Sequence, residues 1–167
     1  MDENAKKTAL RMIPYGLYVL TAESGDGAIT AATVNFVTQT SFKPPLVVVG
    51  VKADSAGYGI VRKAGQFALN ILGKGQQGLA FGFFKPAVRD GNKLSGAAFH
   101  KGKNGAPILD DAPAAIECRV VQVVEQGDHH IVIGEVTEVT LAKPPASRPD
   151  AAVLEMKDLG EKVFYGG

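Results

Sequence analysis

ITAATVNFVTQTSFKPPLVVVGV, residues 29–51, is the stretch that decides the fold. Residues 29–40 form a long run of β-branched and small side chains, which is typical of a β-strand. Residues 43–45, KPP, interrupt this run, because proline has no backbone donor and fixes its own φ angle. Residues 46–51, LVVVGV, form a continuous apolar run of strand length, which indicates a central strand covered on both faces.

Strand patterns also dominate the rest of the chain. They predict strands at 15–21, 67–72, 115–125 and 130–141, and short helices at 3–12, 54–63 and 76–84. Residues 85–107 are polar and rich in glycine and lysine, so we expect a long functional loop or a partner surface there. Many strands, short helices and no regular alternation between the two predict a mainly β fold, a β-barrel. We expect one domain over 1–167, with an N-terminal helix in 1–14 and a C-terminal arm at 142–167.

Composition limits the classes of function. Hydrophobic residues make up 46% of the 167 positions and charged residues 21%, as in an ordinary globular domain. A net charge of +1 gives no broad basic field for nucleic acid. No apolar run has the length of a membrane span, and the acidic start MDEN lacks a signal-peptide core. The single cysteine, Cys118, lies in a β-branched run, which indicates a small buried residue and a reducing compartment, so we expect a cytoplasmic protein.

Two of the three histidines stand together at a turn, in GDHHIVIGEV, residues 127–136. A turn places polar side chains at the end of a strand, where a ligand can reach them. Imidazole exchanges protons near neutral pH. On a strand, His129 and His130 would point to opposite faces, and His100 stands alone, so we expect no metal site. The alternative is a polar hairpin tip with solvated histidines.

Uncharged polar side chains crowd a stretch that otherwise suits the core: Thr30, Thr33, Asn35, Thr38, Gln39, Thr40 and Ser41. They offer hydrogen-bond donors and acceptors without charge. Lys52 and Ser55 follow the next strand, and Ser55 would begin a helix. A lysine near a helix start indicates a phosphate-binding site. The alternative is that the threonines are ordinary strand residues and that Ser55 only caps the helix. No glycine-rich dinucleotide motif or P-loop is present.

Several segments occur together in an order and spacing that resembles the flavin reductase-like family, the FMN-binding split β-barrel proteins. They are YGLYVLTA (15–22), the 29–51 stretch, FALNIL (67–72), GAPILDDAPAAIECRV (105–120) and GDHHIVIGEV (127–136). The resemblance covers roughly Leu10 to Leu141. It is closest to the branch of flavoredoxin-like proteins and of the flavin reductase modules attached to flavodiiron and rubredoxin partners, which the tail FYGG also fits loosely.

The resemblance implies a homodimeric Greek-key split β-barrel with a few short peripheral helices that binds FMN, with FAD less expected. It implies flavin contacts at the matching positions Thr33, Val34, Asn35, Phe36, Gln39, Thr40 and Ser41. The positions near the phosphate are Lys52, Ser55, Ala56 and Gly57. Phe81, in the segment 81–89, is a candidate for closing the pocket of a partner subunit. His129 lies where the nicotinamide of NADH or NADPH stacks in the reductases, and it is the catalytic candidate.

Two departures from the family pattern stand out. Asn35-Phe36 replaces a Ser-Ser-Phe segment of many reductases, which leaves the preference between FMN and FAD open, and Lys43 replaces the usual aspartate before Pro-Pro. One hypothesis is an NAD(P)H-dependent flavin or ferric reductase, in which the flavin carries the hydride chemistry. The other is a non-enzymatic FMN electron carrier for a redox protein. A cluster of basic residues would steer an acidic partner to it: Lys85, Arg89, Lys93, Lys101 and Lys103. A weaker alternative, the pyridoxal-phosphate oxidase barrel, lacks its arginine-rich phosphate pattern here.

Overall fold

Two antiparallel sheets carry the fold in a computed structural model that describes residues 1–167. The strands are β1 (Tyr18–Glu23), β2 (Ile29–Val34), β3 (Val37–Phe42), β4 (Pro45–Lys52), β5 (Gln66–Ile71), β6 (Arg89–Asp90), β7 (Lys93–Leu94), β8 (Ala97–Lys101), β9 (Pro107–Leu109), β10 (Ala114–Val124) and β11 (His129–Leu141). The helices are α1 (Glu3–Arg11), α2 (Ala56–Ala64) and α3 (Gln77–Gly82), with 3₁₀ turns at Pro149–Ala152 and Met156–Leu159. No helix combines the length and the apolar character needed to cross a bilayer.

The large sheet is a curled, unclosed barrel. Its strand order is β2-β1-β5-β10-β11-β4-β3, so β2 and β3 lie at opposite edges. Only Asn35 and Phe36 separate these two strands in the chain. Because consecutive Cα atoms are 3.8 Å apart, Val34 and Val37 lie within about 11 Å of each other. The sheet must therefore curl until its edges approach. The edges do not pair with each other, and this leaves the predicted split β-barrel.

The run 29–40 is not the single strand that its composition predicts. It breaks at Asn35-Phe36, where the chain crosses from one edge of the sheet to the other. The prediction that 46–51 is covered on both faces is also wrong. Val47, Val49 and Val51 are buried while their neighbours are partly exposed, because β4 lies next to the edge strand β3.

The predicted loop at 85–107 contains secondary structure of its own. Strands β6 to β9 form a small four-stranded sheet in this part of the chain. Each has only two to five residues, which is too short to show a hydrophobic period in the sequence. The buried side chain of Asn70 ties this sheet to the barrel. Its amide donates to Val19 O (3.1 Å) and accepts from Leu109 N (2.8 Å).

The barrel core is apolar and closely packed. Leu20, Val49, Phe67, Cys118 and Val132 belong to one buried cluster between the sheet and α2. Burial raises the pKa of the Cys118 thiol to about 12, so the thiol stays protonated, as expected for a packing residue.

The C-terminal arm docks on the barrel through backbone hydrogen bonds. Leu154 N donates to Leu72 O and Leu17 N donates to Leu154 O, both at 2.8 Å. Lys74 N donates to Ala152 O at 3.0 Å. The arm is therefore anchored along 152–156, which brings the residues after it to the open side of the barrel.

Candidate functional site

A cavity lies at the split between the two sheet edges. Its first compartment, of about 280 Å³, is lined by β2, the end of β4, the start of α2, residues 83–87 and His129. A second compartment, of about 490 Å³, continues from it along Asn35 and Phe83 to Val163 and Phe164. The two compartments share one wall, formed by Ala32, Thr33, Val34, Asn35, Lys52, Phe83, Phe84 and Tyr165. Volumes of this order are typical of small-molecule sites.

One end of the cavity is suited to an anion. Ser55 is the N-cap of α2, since its hydroxyl accepts from Tyr58 N (3.2 Å) and donates to Lys52 O (2.7 Å). The first N–H groups of a helix have no intrahelical acceptor, so those of Ala56 and Gly57 remain available to a ligand beside the positive end of the helix dipole. The exposed ammonium of Lys52, 3.4 Å from Asp54, adds positive charge at the same rim.

Gly57 permits a close approach between α2 and β2. A Cβ atom at this position would lie 2.7 Å from Thr30 Oγ1. Both residues line the first compartment. The donor groups, the cation and the close approach at Gly57 together can hold an anionic group such as a phosphate.

The part of the cavity around His129 is aromatic. The ring of His129 contacts Phe36 edge-on, with centroids 5.2 Å apart, and Tyr165 at 5.6 Å. His129 Nδ1 lies 2.8 Å from Asp128 Oδ1, and Nε2 lies 2.6 Å from the Tyr165 hydroxyl. The hydrogen bond from His129 holds the pKa of Asp128 below its usual value, so this carboxylate accepts from Nδ1–H. Nε2 of the neutral ring then accepts from the phenol.

The two adjacent histidines diverge as predicted. His129 pairs across the sheet with Lys52 and lines the cavity. His130 points to the opposite face, where its Nδ1 lies 2.7 Å from the Tyr58 hydroxyl. His129 is mostly buried, so the turn is more than a solvated hairpin tip. No group of three or more His, Cys, Asp or Glu side chains with metal-binding geometry is present.

Residues 83–87 form a wall of the cavity in the same chain. Thr33 fixes this wall to β2, because its Oγ1 donates to Ala80 O (2.7 Å) and its N–H donates to Phe83 O (3.1 Å). Phe83 is buried and Phe84 is half-exposed at the cavity. Lys85 stands beside them and brings a second cation to the first compartment.

The structure brings most of the residues chosen from the sequence to one place. The first compartment is lined by Thr33, Val34, Asn35, Lys52, Ser55, Ala56, Gly57 and His129. Phe36 lies behind this lining, against the rings of His129 and Tyr165.

Four of the chosen residues lie away from the cavity. Gln39, Thr40 and Ser41 are on β3, which the crossing at Asn35-Phe36 carries to the other edge of the sheet. Gln39 lines an apolar groove there instead. Phe81 is on the solvent side of α3, where it packs edge-on against Phe84. The part of 81–89 that reaches the cavity is 83–87.

Sequence reasoning missed Thr30 and Tyr165 as lining residues, and within the predicted segment 81–89 it chose Phe81 in place of Phe83, Phe84 and Lys85. Thr30 and Lys85 stood among residues already singled out, but neither was chosen as a cofactor contact. Tyr165 gave no local signal, because its partners Asn35 and His129 lie 130 and 36 residues away.

Three members of the basic cluster are already paired with acidic side chains. Arg89 and Lys101 both reach Glu23, at 3.6 and 3.2 Å. Lys103 pairs with Glu138. These ion pairs reduce the positive charge that this surface can offer to an acidic partner protein.

Comparisons with known proteins agree with this geometry. The model of the family "Flavin reductase like domain" matches residues 10–155. A flavin reductase of Pseudomonas putida is 35% identical over 139 residues, which are 83% of this chain and 80% of that protein. Diflavin flavoprotein A 1 of Synechocystis is 37% identical over 146 residues, which are 86% of this chain but only 25% of that protein.

A solved structure shows the same fold with a named cofactor. The FMN-binding protein of Thermus thermophilus superposes with a TM-score of 0.68 at 25% identity, over 78% of this chain and 72% of that one. The residues that the family model matches, 10–155, include β1 to β11. They therefore include the whole lining of the first compartment except Tyr165. This chain therefore belongs to the flavin reductase like domain family and is an oxidoreductase of the flavin reductase type.

Proposed function

We propose that this chain binds FMN in the cavity at the split and that the bound flavin is reduced by NADH or NADPH. The observation that supports it most is the continuity of the cavity. An anion seat at the start of α2 and an aromatic wall with His129 line the same compartment, and Lys52 pairs across the sheet with His129. A flavin nucleotide has the matching chemistry, a phosphate joined to a planar ring.

Each part of the cavity has a task in this proposal. Lys52 and the N–H groups of Ala56 and Gly57 hold the phosphate. Thr33, Val34 and Asn35 contribute backbone and side-chain groups along the shared wall. Flavin, when bound, supplies the hydride and electron chemistry, so no catalytic base is required of the protein. We place FMN first, as the family resemblance and the name of the Thermus protein suggest, and an NADH:FAD oxidoreductase of Streptomyces globisporus, 29% identical, makes FAD the alternative.

A titration of flavin fluorescence tests the proposal. We expect saturable binding of one FMN per chain, with weaker binding of FAD. The apolar wall of the cavity excludes water from the ring. Absence of saturation by either flavin would contradict the assignment of this cavity.

Replacing His129 with alanine is expected to slow nicotinamide oxidation about tenfold while FMN affinity stays within about twofold, because a single positioning contact is lost. The measurement is NADH oxidation with saturating FMN, alongside the fluorescence titration. His130→Ala is the matched control, since the adjacent imidazole points to the other face of the sheet. Equal rates for the two variants would show that the cavity histidine has no part in the reaction.

We also propose a homodimer. At one end of the barrel core the sheet presents an apolar face, with a groove lined by Tyr18, Val37, Leu46, Ile116 and Val136, among others. Phe42, Val139 and Leu141 are large exposed apolar side chains on β3 and β11. A second copy that covers this face would bury them. Gln39 lines this groove, and Thr40 and Ser41 follow it on β3. In this proposal these three residues contact the flavin that is bound to the second copy.

A second function has one observation in its favour. The similarity to a diflavin flavoprotein, of which this chain spans a quarter, fits electron transfer to or from a separate redox protein. The ion pairs of Arg89, Lys101 and Lys103 count against docking through the predicted basic cluster. We therefore place direct reduction by a nicotinamide first.

A further inference from the structure

The residues 163–167, here called the strap, lie across the aromatic end of the cavity. Val163 and Phe164 line the second compartment. Tyr165 lines both compartments. Its ring packs on Phe36, with centroids 5.6 Å apart, and meets His129 edge-on at the same distance. The phenol thus fills the space in front of the imidazole.

Beyond Val163, side chains hold the strap. Asn35 Nδ2 donates to Tyr165 O (2.9 Å), and Arg11 Nε donates to Gly166 O (3.2 Å). The Arg11 guanidinium lies 4.1 Å from the centre of the Phe164 ring. After the bond from Val163 N to Gly160 O, the strap makes no backbone-to-backbone hydrogen bond. Segments held in this way open at low free-energy cost.

One glycine precedes the strap and another lies within it. Gly160 has a φ of 137° and Gly166 a φ of 129°, values that other residues rarely adopt. The arm before them is fixed by the backbone bonds of Leu154. The strap can therefore swing about Gly160 without disturbing the docked arm.

The shortest hydrogen bond of the strap is the one to His129. The 2.6 Å bond from the Tyr165 hydroxyl to Nε2 occupies the nitrogen that faces the cavity. Burial raises the pKa of Tyr165, which keeps the phenol protonated as a donor. A planar ring that reaches His129 must first displace the phenol.

We propose that Tyr165 is a gate: its bond to His129 latches the strap over the flavin cavity, and the nicotinamide donor reaches the flavin ring only when that latch opens. This proposal rests on the proposed function for the role of His129 as the nicotinamide contact. It makes Tyr165 a residue that sets donor access, in competition with the nicotinamide.

Trypsin cleavage after Lys162 measures latch opening without flavin. Lys162 is exposed and directly precedes the strap. With the flavin-free full chain, Tyr165→Phe is expected to release the fragment beginning at Val163 about fivefold faster, since one hydrogen bond is lost and cleavage follows the open population. Tyr15→Phe is the matched control, because this ring also packs on Phe36 while its hydroxyl has no hydrogen bond. Equal release rates for the two variants would overturn the latch.

Nicotinamide kinetics on the FMN-loaded chain then test the gate. We expect Tyr165→Phe to lower KM for NADH about fivefold, because the donor no longer competes with the latch. His129→Ala should also speed release of the fragment, yet slow NADH oxidation. An unchanged or raised KM in Tyr165→Phe, with FMN bound and reduced, would overturn the gate alone. Failure of the parent chain to bind FMN would refute the proposed function, whereas the cleavage result would still report on the latch.

Discussion

Replacing Lys52 with glutamate is expected to weaken FMN binding about 100-fold. A hydrogen bond to a charged group contributes about 1.5–3 kcal/mol, and reversal of the charge adds repulsion toward the phosphate. Screening limits the effect, because Lys52 is exposed in the flavin-free chain. The new carboxylate would also stand beside Asp54, which is 3.4 Å from the Lys52 ammonium. The dissociation constant from the fluorescence titration measures the change.

Lys93→Glu supplies the matched control for this variant. Lys93 is exposed on β7, outside the cavity and away from the proposed dimer face, and has no ion pair. Either substitution replaces one positive with one negative charge in a chain of net charge +1. FMN affinity should fall only in the Lys52 variant, and added salt should narrow the difference. A similar loss of FMN affinity in both variants would mean that the net charge of the chain sets the affinity and that Lys52 does not bind the phosphate.

Replacing Gly134 with alanine is expected to lower the free energy of unfolding by about 3 kcal/mol. Glycine in a strand interior is normally less stabilising than alanine, so a change from glycine to alanine usually raises stability. At Gly134 we expect the opposite. An added Cβ would lie 2.6 Å from Phe67 Cζ and 2.8 Å from Cys118 Cβ, and both residues are fully buried. Overpacking a closed core costs about 1–3 kcal/mol, and two contacts with rigid groups place this site at the upper end. Denaturant unfolding measures the loss.

Two further variants make this result specific. Gly78→Ala meets open space on α3 and should leave stability unchanged or slightly higher. Phe67→Leu removes the ring atoms nearest to the new methyl group, so the double variant should lose less stability than the sum of its parts. Additive losses would mean that Gly134 and Phe67 do not share this part of the core.

Local patterns account for the elements that the sequence predicted well. The helix α2 was expected because Ser55 is a cap residue, and the structure uses its hydroxyl as one. The strands β5, β10 and β11 were expected from their apolar runs. The crossing at Asn35-Phe36 was missed, because it depends on two edges of a curled sheet that meet only in three dimensions.

The candidate site also has a part that local sequence patterns predicted and a part that they missed. Its anion end was predicted because Lys52 and Ser55 are close in sequence and a helix start has a known preference for anions. Its aromatic end was predicted through His129 and Phe36, both from the family resemblance. Tyr165 was missed, because no spacing rule connects it with a histidine 36 residues earlier or with Asn35, 130 residues earlier.

The visible spectrum of the FMN-loaded chain, recorded without oxygen before and after addition of NADH or NADPH, tests the central proposal most directly. We predict a bound-flavin spectrum that bleaches promptly on addition of one of the two nucleotides. His129 would place the nicotinamide at the cavity, and the bound flavin would supply the hydride-accepting chemistry. Bound flavin that stays oxidised with both nucleotides would contradict reduction by a nicotinamide and would favour electron delivery by a partner protein.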